Sequence, residues 1–350
     1  MTRRDTMRAA RLHQYGEALV LEDIPRPVPG AGEVLVRVQA AGLCHSDLHV
    51  IDGDIRILPR MPLVLGHENA GVVAAIGAGV TGFVEGDTVV VFGGWGCGHC
   101  DYCVRGSEQL CTKPAWSGLS MYDGGYAEFL LVPKERYLVK LSRLGPIEAA
   151  PLTDAALTPY RAIRRSLPYL EPDYHVLVIG LGGLGQYGLK LLALLASSPV
   201  IVVDVAEQKR ALARELGAVA ALDGRAPGLL EEILDLTGGR GVSAAFDFVG
   251  TDETLNVALQ ATRSLGKVSQ VGLAGGTAHM KVLHNTRFEV LFEATLWGTI
   301  KELREVVALA ESGRLGPIPL DSVPLEQIND ACSRLRRGDV HGRAVITPSS

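Results

Sequence analysis

The stretch Gly180-Leu-Gly-Gly-Leu-Gly185 decides the fold class of the second half of this chain. It follows an apolar run, Val176–Ile179, that predicts a buried strand, and it precedes a run, Tyr187–Ala196, that predicts a helix. Glycines at this spacing between a strand and a helix are typical of a turn that binds a dinucleotide. The stretch therefore predicts a nucleotide cofactor as well as a local structure.

Each position of this glycine motif has a physical reason. Gly180 would allow the tight turn, Gly182 would let a pyrophosphate approach the backbone, and Gly185 would permit the helix to pack closely on the strand. Gly183 and Leu184 lie where the helix opens, and the free N–H groups and positive dipole end of a helix N-terminus favour phosphate. We therefore expect these five residues to bind the cofactor.

An acidic residue favours NAD over NADP. Asp204 closes the next apolar strand, 24 positions after Gly180, where a carboxylate would hold the adenosine ribose hydroxyls. The same charge would repel the 2′-phosphate of NADP. Two alternatives remain open: Asp204 could serve only as a helix cap, and Lys209 nearby could face either the ribose or solvent.

The order of predicted elements divides the chain into two architectures. Up to about residue 150, short apolar runs broken by glycine and proline predict a compact, β-barrel-like domain. Beyond residue 154, strands alternate with helices, which predicts an α/β domain with a doubly wound parallel sheet of the Rossmann type. A last strand, Arg343–Thr347, has no place in that order and is expected to return to the first domain. We therefore predict one domain of residues 1–153 and 291–350 and a nucleotide-binding domain of residues 154–290.

Composition excludes several classes of protein. The 350 residues are 47% hydrophobic and 21% charged, which is globular and not disordered composition. The net charge of −5, without a basic stripe, argues against a nucleic-acid partner. No apolar stretch is long enough for a membrane span, and the start lacks the apolar core of a secretory signal. We expect a cytoplasmic protein that begins at Met1 or Met7.

Cysteine spacing predicts a metal site. Cys97, Cys100, Cys103 and Cys111, the four-cysteine lobe, crowd into fifteen residues, as in metal-binding lobes rather than disulfide frameworks. Four thiolates satisfy Zn²⁺ and leave no position open, so this zinc would be structural. The alternative, four free surface thiols, is disfavoured because exposed thiols oxidise.

Further ligand-type residues lead to a family resemblance. The pattern Gly66-His67-Glu68-x2-Gly71-x5-Gly77-x2-Val80, together with Cys44, the four-cysteine lobe and the glycine motif, resembles zinc-dependent medium-chain alcohol dehydrogenases. The resemblance covers nearly the whole chain, and the stretches Ala41–Asp47 and Ala150–Ala155 look closest to bacterial NAD-dependent secondary-alcohol dehydrogenases. It implies a GroES-like catalytic domain beside the Rossmann domain, two zinc ions per subunit, and a homodimer or homotetramer.

The resemblance implies ligands for a catalytic zinc ion. Cys44 and His67 match two ligands, and Asp154 stands where the family often has cysteine and where bacterial secondary-alcohol enzymes carry aspartate. Glu68 resembles a carboxylate that lies near the metal or binds it transiently, and Asp47 would orient His67 through its second nitrogen. Asp154 could also cap the following helix. Because a carboxylate donates less charge than a thiolate, we expect a more Lewis-acidic metal that is more easily removed.

The resemblance also implies a proton relay and cofactor contacts. Ser46 would bind the substrate oxygen and pass its proton to His49 through the nicotinamide ribose. Thr158, Val271 and Gly272 resemble residues that hold the nicotinamide. Arg343 occupies the place of an arginine that reaches the pyrophosphate.

These residues predict a reversible, NAD-dependent oxidation of secondary, and some primary, alcohols to ketones or aldehydes. Apolar side chains that could line the pocket are Trp95, Trp116, Leu119 and Trp297. A polyol or sugar dehydrogenase of the same superfamily is the alternative enzyme. A non-catalytic NAD-binding sensor or structural protein is the alternative from another class, although an open zinc site argues against it.

Overall fold

The computed structural model describes residues 5–58, 60–278 and 287–348. Its strands, in chain order, are β1 (Thr6–Leu12), β2 (Val20–Pro25), β3 (Val34–Gly42), β4 (Leu63–Val64), β5 (Glu68–Ile76), β6 (Thr88–Val91), β7 (Phe129–Val132), β8 (Leu138–Lys140), β9 (Val176–Ile179), β10 (Val200–Asp204), β11 (Ala220–Asp223), β12 (Val242–Asp247), β13 (Thr262–Gln270), β14 (Leu291–Ala294), β15 (Leu320–Pro324) and β16 (Arg343–Thr347).

The α-helices, in the same order, are α1 (His45–Asp52), α2 (Asp101–Val104), α3 (Pro146–Ala149), α4 (Leu157–Ser166), α5 (Gly183–Leu195), α6 (Glu207–Glu215), α7 (Leu229–Leu236), α8 (Asp252–Ala261), α9 (Ile300–Glu311) and α10 (Ile328–Arg337). The chain divides into one unit of Met1–Leu157 with Trp297–Ser350 and a second unit of Thr158–Leu296. Asp154 therefore lies in the same unit as Cys44 and His67.

The first unit is built from β-strands. Its larger sheet has the order β15-β16-β3-β5-β6-β8, with β7 also paired to β3, and a smaller sheet has the order β2-β1-β4. The predicted return of the chain terminus is confirmed, because β16 pairs with β15 in parallel and with β3 antiparallel, placing Val345 opposite Gly42. The C-terminal strand thus completes the sheet that carries the site.

The second unit is a parallel sheet of order β11-β10-β9-β12-β13-β14. The predicted doubly wound architecture is confirmed, with β9 at the centre and all four of its residues buried. Strands of such a sheet are covered on both faces, which is why they read as continuous apolar runs. Chain order reverses between β9 and β12, and ligands of doubly wound sheets bind in the crevice at that point.

One helix begins earlier than the sequence predicts. Helix α5 starts at Gly183 rather than Tyr187, because the glycine motif itself forms its first turn, where helix propensity is low. Within the described residues, no helix combines the length and apolar character needed to cross a bilayer.

Candidate active site

Four side chains from three separate segments converge in the first unit, and we call them the mixed cluster. Cys44, His67, Glu68 and Asp154 each offer a ligand atom, and these atoms all lie within 4.8 Å of one another. Asp154 Oδ2 is 3.7 Å from Cys44 Sγ and 3.5 Å from His67 Nε2. A tetrahedral zinc ion with bonds of about 2.0–2.3 Å separates its ligand atoms by roughly 3.3–3.8 Å. Cys44, His67 and Asp154 therefore fit such an ion.

Local structure explains where these ligands lie. Cys44 is the N-cap of α1, and its N–H donates to the carboxylate of Asp47 in the first turn at 2.9 Å. His67 directly precedes β5, and Asp154 directly follows a short 3₁₀ helix, Ala150–Thr153. All the side chains of the mixed cluster are buried, so their polar atoms need partners inside the protein.

The buried carboxylate of Asp47 holds His67 in place. Its Nδ1 lies 3.2 Å from Asp47 Oδ1, which leaves Nε2 facing Asp154. Asp47 is fully buried and His67 is 2% exposed. Burial alone would lower the pKa of His67, but the carboxylates of Asp47 and Asp154 raise it well above its usual value. The contact predicted between Asp47 and His67 is therefore present.

Arg343 lies inside the protein, paired with Glu68. Its guanidinium donates to both carboxylate oxygens of Glu68, with Nε at 2.9 Å, and Nη2 is 3.7 Å from Asp154 Oδ2. Burial raises the pKa of Glu68 to about 7, and the positive charge of Arg343 opposes that rise. The sequence did not predict this ion pair. The role of Arg343 at the pyrophosphate stays a prediction.

The two residues of the expected relay lie on α1. Ser46 Oγ is 3.6 Å from Cys44 Sγ, so the structure brings this hydroxyl to the mixed cluster. His49 lies one turn later, partly exposed, with Nδ1 3.1 Å from Asp54 Oδ2. Residues three apart share a helix face. The sequence did not predict the contact of His49 with Asp54.

The four-cysteine lobe has the dimensions of a closed zinc site. Cys97 Sγ lies 3.9 Å from Cys103 Sγ, and Cys100 Sγ lies 3.8 Å from Cys111 Sγ. A tetrahedron with Zn–S bonds of about 2.3 Å has edges of about 3.8 Å. Backbone N–H groups of Cys103 and Thr112 lower the pKa of Cys100 to about 6, whereas burial raises that of Cys103 to about 12. The residues of the lobe fit one bound Zn²⁺.

The glycine motif has the geometry of a cofactor turn. Gly180 has a φ of +86°, and a Cβ on Gly185 would lie 1.9 Å from the Gly180 carbonyl oxygen, so both positions require glycine. A Cβ on Gly182, the N-cap of α5, would meet no other atom of the described chain within 4 Å. Open space in front of a helix N-terminus fits a pyrophosphate.

Other predicted cofactor residues occupy the ends of neighbouring elements in the second unit. Asp204 ends β10, 7% exposed, and its two carboxylate oxygens accept from the N–H groups of Leu181 and Ala206 at 2.7 and 2.9 Å. Each oxygen keeps a lone pair for another donor. Val271 and Gly272 directly follow β13. Thr158 is buried in the first turn of α4, and Lys209 is partly exposed in the first turn of α6.

Comparisons with known proteins agree with this geometry. Residues 30–143 match the alcohol dehydrogenase GroES-like domain, and residues 183–312 match the zinc-binding dehydrogenase domain. An NAD-dependent alcohol dehydrogenase from Sulfolobus acidocaldarius is 40% identical over 97% of this chain and 99% of its own. A D-arabinose 1-dehydrogenase (NADP⁺) from Saccharolobus solfataricus is 36% identical over 97% of each chain. The crystal structure of an alcohol dehydrogenase from Aeropyrum pernix matches with a TM-score of 0.91 and 37% identity, covering 97% of this chain and 100% of that one.

The chain belongs to the zinc-binding, medium-chain alcohol dehydrogenase family. The family and the oxidoreductase class predicted from the sequence are thereby confirmed. Both halves of an alcohol dehydrogenase are present: a GroES-like domain, which contains the mixed cluster, and a Rossmann domain with a glycine motif.

The apolar residues predicted for the alcohol dehydrogenase pocket fall into two groups. Trp297 packs edge-on against the His67 ring at 5.5 Å, and Trp116 packs against Trp297 at 6.2 Å. Trp95 is fully buried and stacks on Tyr137 instead, and Leu119 is 7% exposed. An apolar ring therefore borders His67 on the Trp297 side.

Sequence reasoning missed one buried residue beside the mixed cluster. Tyr126 is fully buried, and its hydroxyl donates to Asp47 Oδ2 at 2.8 Å. It lies nearly eighty positions from Asp47, in no motif, and only the pairing of distant segments brings the two together. Cys332 lies on α10 and is 2% exposed.

Proposed function

We propose that this protein catalyses the reversible, NAD-dependent oxidation of secondary alcohols to ketones. The observation that carries the proposal is the donor set of Cys44, His67 and Asp154, spaced for one tetrahedral zinc ion with room for a fourth ligand. The indole ring of Trp297 beside His67, with Trp116 packed against it, favours an apolar substrate.

The chain's own residues would bind and orient the reactants. A zinc ion held by Cys44, His67 and Asp154 would supply Lewis acidity toward the substrate oxygen. Asp47 fixes the ring of His67, so that Nε2 keeps a lone pair for the metal. Arg343 binds both oxygens of Glu68, which holds that carboxylate in one position beside the ligands.

Protons would leave through α1. The hydroxyl of Ser46, next to Cys44, would take the proton of the alcohol, because a hydroxyl both donates and accepts hydrogen bonds. His49, on the same helix face and partly exposed, would pass the proton to solvent. The carboxylate of Asp54, 3.1 Å from His49 Nδ1, would orient the ring.

The second unit would bind NAD. Gly180, Gly182, Gly183, Leu184 and Gly185 would receive the pyrophosphate at the N-terminus of α5. The buried carboxylate of Asp204 would accept from the ribose hydroxyls, with Lys209 near the same ribose. Thr158, Val271 and Gly272 would contact the nicotinamide, which supplies the hydride acceptor. A second zinc ion in the four-cysteine lobe, a homodimeric or homotetrameric assembly and a cytoplasmic location also belong to the proposal; the last two rest on the sequence alone.

A sugar substrate is the second candidate. The relative from Saccharolobus solfataricus, at 36% identity, is a D-arabinose 1-dehydrogenase (NADP⁺). Asp204 argues against NADP, because its charge would repel a 2′-phosphate. The two candidates therefore differ in both substrate and cofactor.

A substrate panel tests the proposal. Purified protein would be assayed for reduced cofactor with NAD⁺ or NADP⁺ and with 2-butanol, cyclohexanol, 1-butanol, benzyl alcohol, sorbitol or D-arabinose. We expect turnover with NAD⁺ and preference for the two secondary alcohols, lost on chelation and restored by Zn²⁺. The Ser46→Ala variant should lose turnover while binding metal and NAD normally. Preference for D-arabinose with NADP⁺ would establish the second candidate, and no turnover despite bound zinc and NAD would contradict both.

A further inference from the structure

The carboxylate of Asp47 is the centre of a fully buried hydrogen-bond network. Its Oδ1 faces His67 Nδ1 at 3.2 Å. Its Oδ2 accepts from the hydroxyl of Tyr126 at 2.8 Å and from the N–H of Cys44 at 2.9 Å. Asp47 and Tyr126 are 0% exposed and His67 is 2% exposed, so these groups lie away from bulk solvent. The network thus joins two metal ligands, Cys44 and His67, through one carboxylate.

The tyrosine ring is fixed by the segment that carries His67. A Cβ on Gly66 would lie 2.8 Å from Tyr126 Cδ1, so the backbone of Gly66 sits directly against the ring, and its φ of +97° also favours glycine. The N–H of Tyr126 donates to the Leu65 carbonyl at 3.0 Å, and its own carbonyl accepts from Ala10 at 2.8 Å. The hydroxyl is therefore held between two acceptors, Asp47 Oδ2 at 2.8 Å and the Gly42 carbonyl at 3.2 Å, and the contact with Asp47 is the shorter one.

This geometry gives the hydroxyl a role that packing does not require. A phenylalanine would fill the same space against Gly66, but it would leave Asp47 Oδ2 with Cys44 as its donor. A buried carboxylate that loses a donor shifts or rotates toward its other partners. Rotation would alter the Oδ1 contact that sets the plane and tautomer of His67. Ligand orientation of this kind controls metal affinity.

We propose that Tyr126 is a positioning residue for the metal centre, acting through Asp47 on His67. It holds the carboxylate so that His67 presents Nε2 to the metal. The inference rests on the proposed function, because it requires a metal ion at Cys44, His67 and Asp154. Tyr126 would therefore affect the rate of metal release and the ligand field of the metal, and it would not contact the substrate.

The test compares two buried tyrosines. Tyr126→Phe removes the hydroxyl that binds Asp47. Tyr137→Phe is the matched control, because the Tyr137 hydroxyl, also buried, contacts Gly96 and Arg136 beside the four-cysteine lobe. We expect Tyr126→Phe to release the metal of the mixed cluster to a chelator about 10- to 100-fold faster than wild type. Tyr137→Phe should leave that rate unchanged.

Two further measurements separate positioning from general destabilisation. With Co²⁺ in the mixed cluster, Tyr126→Phe should shift the visible d–d bands, whereas Tyr137→Phe should not. In an Asp47→Asn background, Tyr126→Phe should add little to the metal-release rate, because both changes disrupt the same chain of hydrogen bonds from Tyr126 through Asp47 to His67. The inference would be overturned if Tyr126→Phe raised the metal-release rate as much in the Asp47→Asn background as in wild type. It would also be overturned if both tyrosine variants released the metal at the same rate.

The metal content of the wild-type protein distinguishes the inference from the proposed function. Metal in the mixed cluster of the wild type, with release unchanged in Tyr126→Phe, overturns the inference alone. A wild-type protein that binds zinc only in the four-cysteine lobe overturns both. Metal in the mixed cluster with fast, non-additive release in the variant supports both.

Discussion

The four-cysteine lobe takes all its ligands from residues 97–111, whereas the mixed cluster draws on positions 44, 67, 68 and 154. The lobe offers four thiols, and backbone N–H groups of its own loop bond to several of the sulfurs, including Cys97 and Cys111. The mixed cluster offers a thiol, an imidazole and carboxylates, surrounded by Asp47, Tyr126 and Arg343. A site that the chain builds locally needs little from the rest of the fold.

The difference in surroundings indicates a difference in task. A closed set of identical ligands is suited to holding a loop together. Mixed ligands with ordered carboxylates behind them are suited to tuning a reactive metal. Changes to the mixed cluster should therefore affect reaction rate first, and changes to the lobe should affect stability first.

The largest expected effect comes from removing one ligand in each cluster. His67→Ala should lower kcat/KM for a secondary alcohol by at least about a thousandfold, since a metal contributes several kcal/mol to the reaction. Cys103→Ala should keep most of the activity at low temperature but lower the midpoint of thermal unfolding by several degrees. Assays at 20 °C and circular dichroism on both variants would check this. Equal loss of activity in both would remove the distinction between the clusters.

The buried charges around the mixed cluster give the next largest effect. Arg343→Met leaves Glu68 buried and unpaired, so the free energy of unfolding should fall by about 3–5 kcal/mol. The double variant Glu68→Gln/Arg343→Met should recover at least half of that loss. Urea unfolding of the wild type, the single variant and the double variant in the presence of a chelator measures the free energies of unfolding. A small loss in Arg343→Met would mean that Glu68 finds another partner or takes up a proton.

The contrast between local and dispersed features also explains what the sequence could predict. The glycine motif, the four-cysteine lobe and the boundaries of β9 and β16 depend on neighbouring residues, and all were predictable from spacing and apolar periodicity. The start of α5 was not, because its first turn contains two glycines, Gly183 and Gly185, which have low helix propensity.

Contacts between residues far apart in the chain could not be predicted from the sequence. Cys44, His67 and Asp154 could be grouped only through the family resemblance, since nothing in their spacing places them together. Glu68 with Arg343 and Asp47 with Tyr126 depend on strand pairing and on packing of segments many positions apart. The resemblance assigned Arg343 to the pyrophosphate, and its pairing with Glu68 was not predicted because a buried arginine is rare unless it is paired.

A single ligand exchange tests whether the mixed cluster is tuned for reactivity rather than retention. Asp154→Cys would give it a second thiolate and make it more similar to the lobe. Chelator-induced loss of its metal should then slow by at least about tenfold, or about 1.4 kcal/mol, because thiolate donates more charge to Zn²⁺ than carboxylate. Metal loss followed with a chromophoric chelator measures the rate. If wild type releases its metal no faster than Asp154→Cys, the carboxylate does not weaken the site.

The smallest effect concerns the thiols of the lobe after the metal has been removed. Backbone N–H groups hold the pKa of Cys100 near 6, so its thiolate dominates at pH 7 and is protonated as the pH falls through that value. Because alkylation follows the thiolate fraction, its rate at Cys100 should fall only about fourfold from pH 7 to 5.5, against about thirtyfold for an unshifted thiol. Mass spectrometry after iodoacetamide labelling measures this, with buried Cys332, whose pKa is raised to about 12, as the protected control. A thirtyfold fall in the alkylation rate of Cys100 would mean that the lobe loses its backbone hydrogen bonds when the metal is removed. The bound ion would then organise the lobe, whereas hydrogen bonds between side chains organise the mixed cluster.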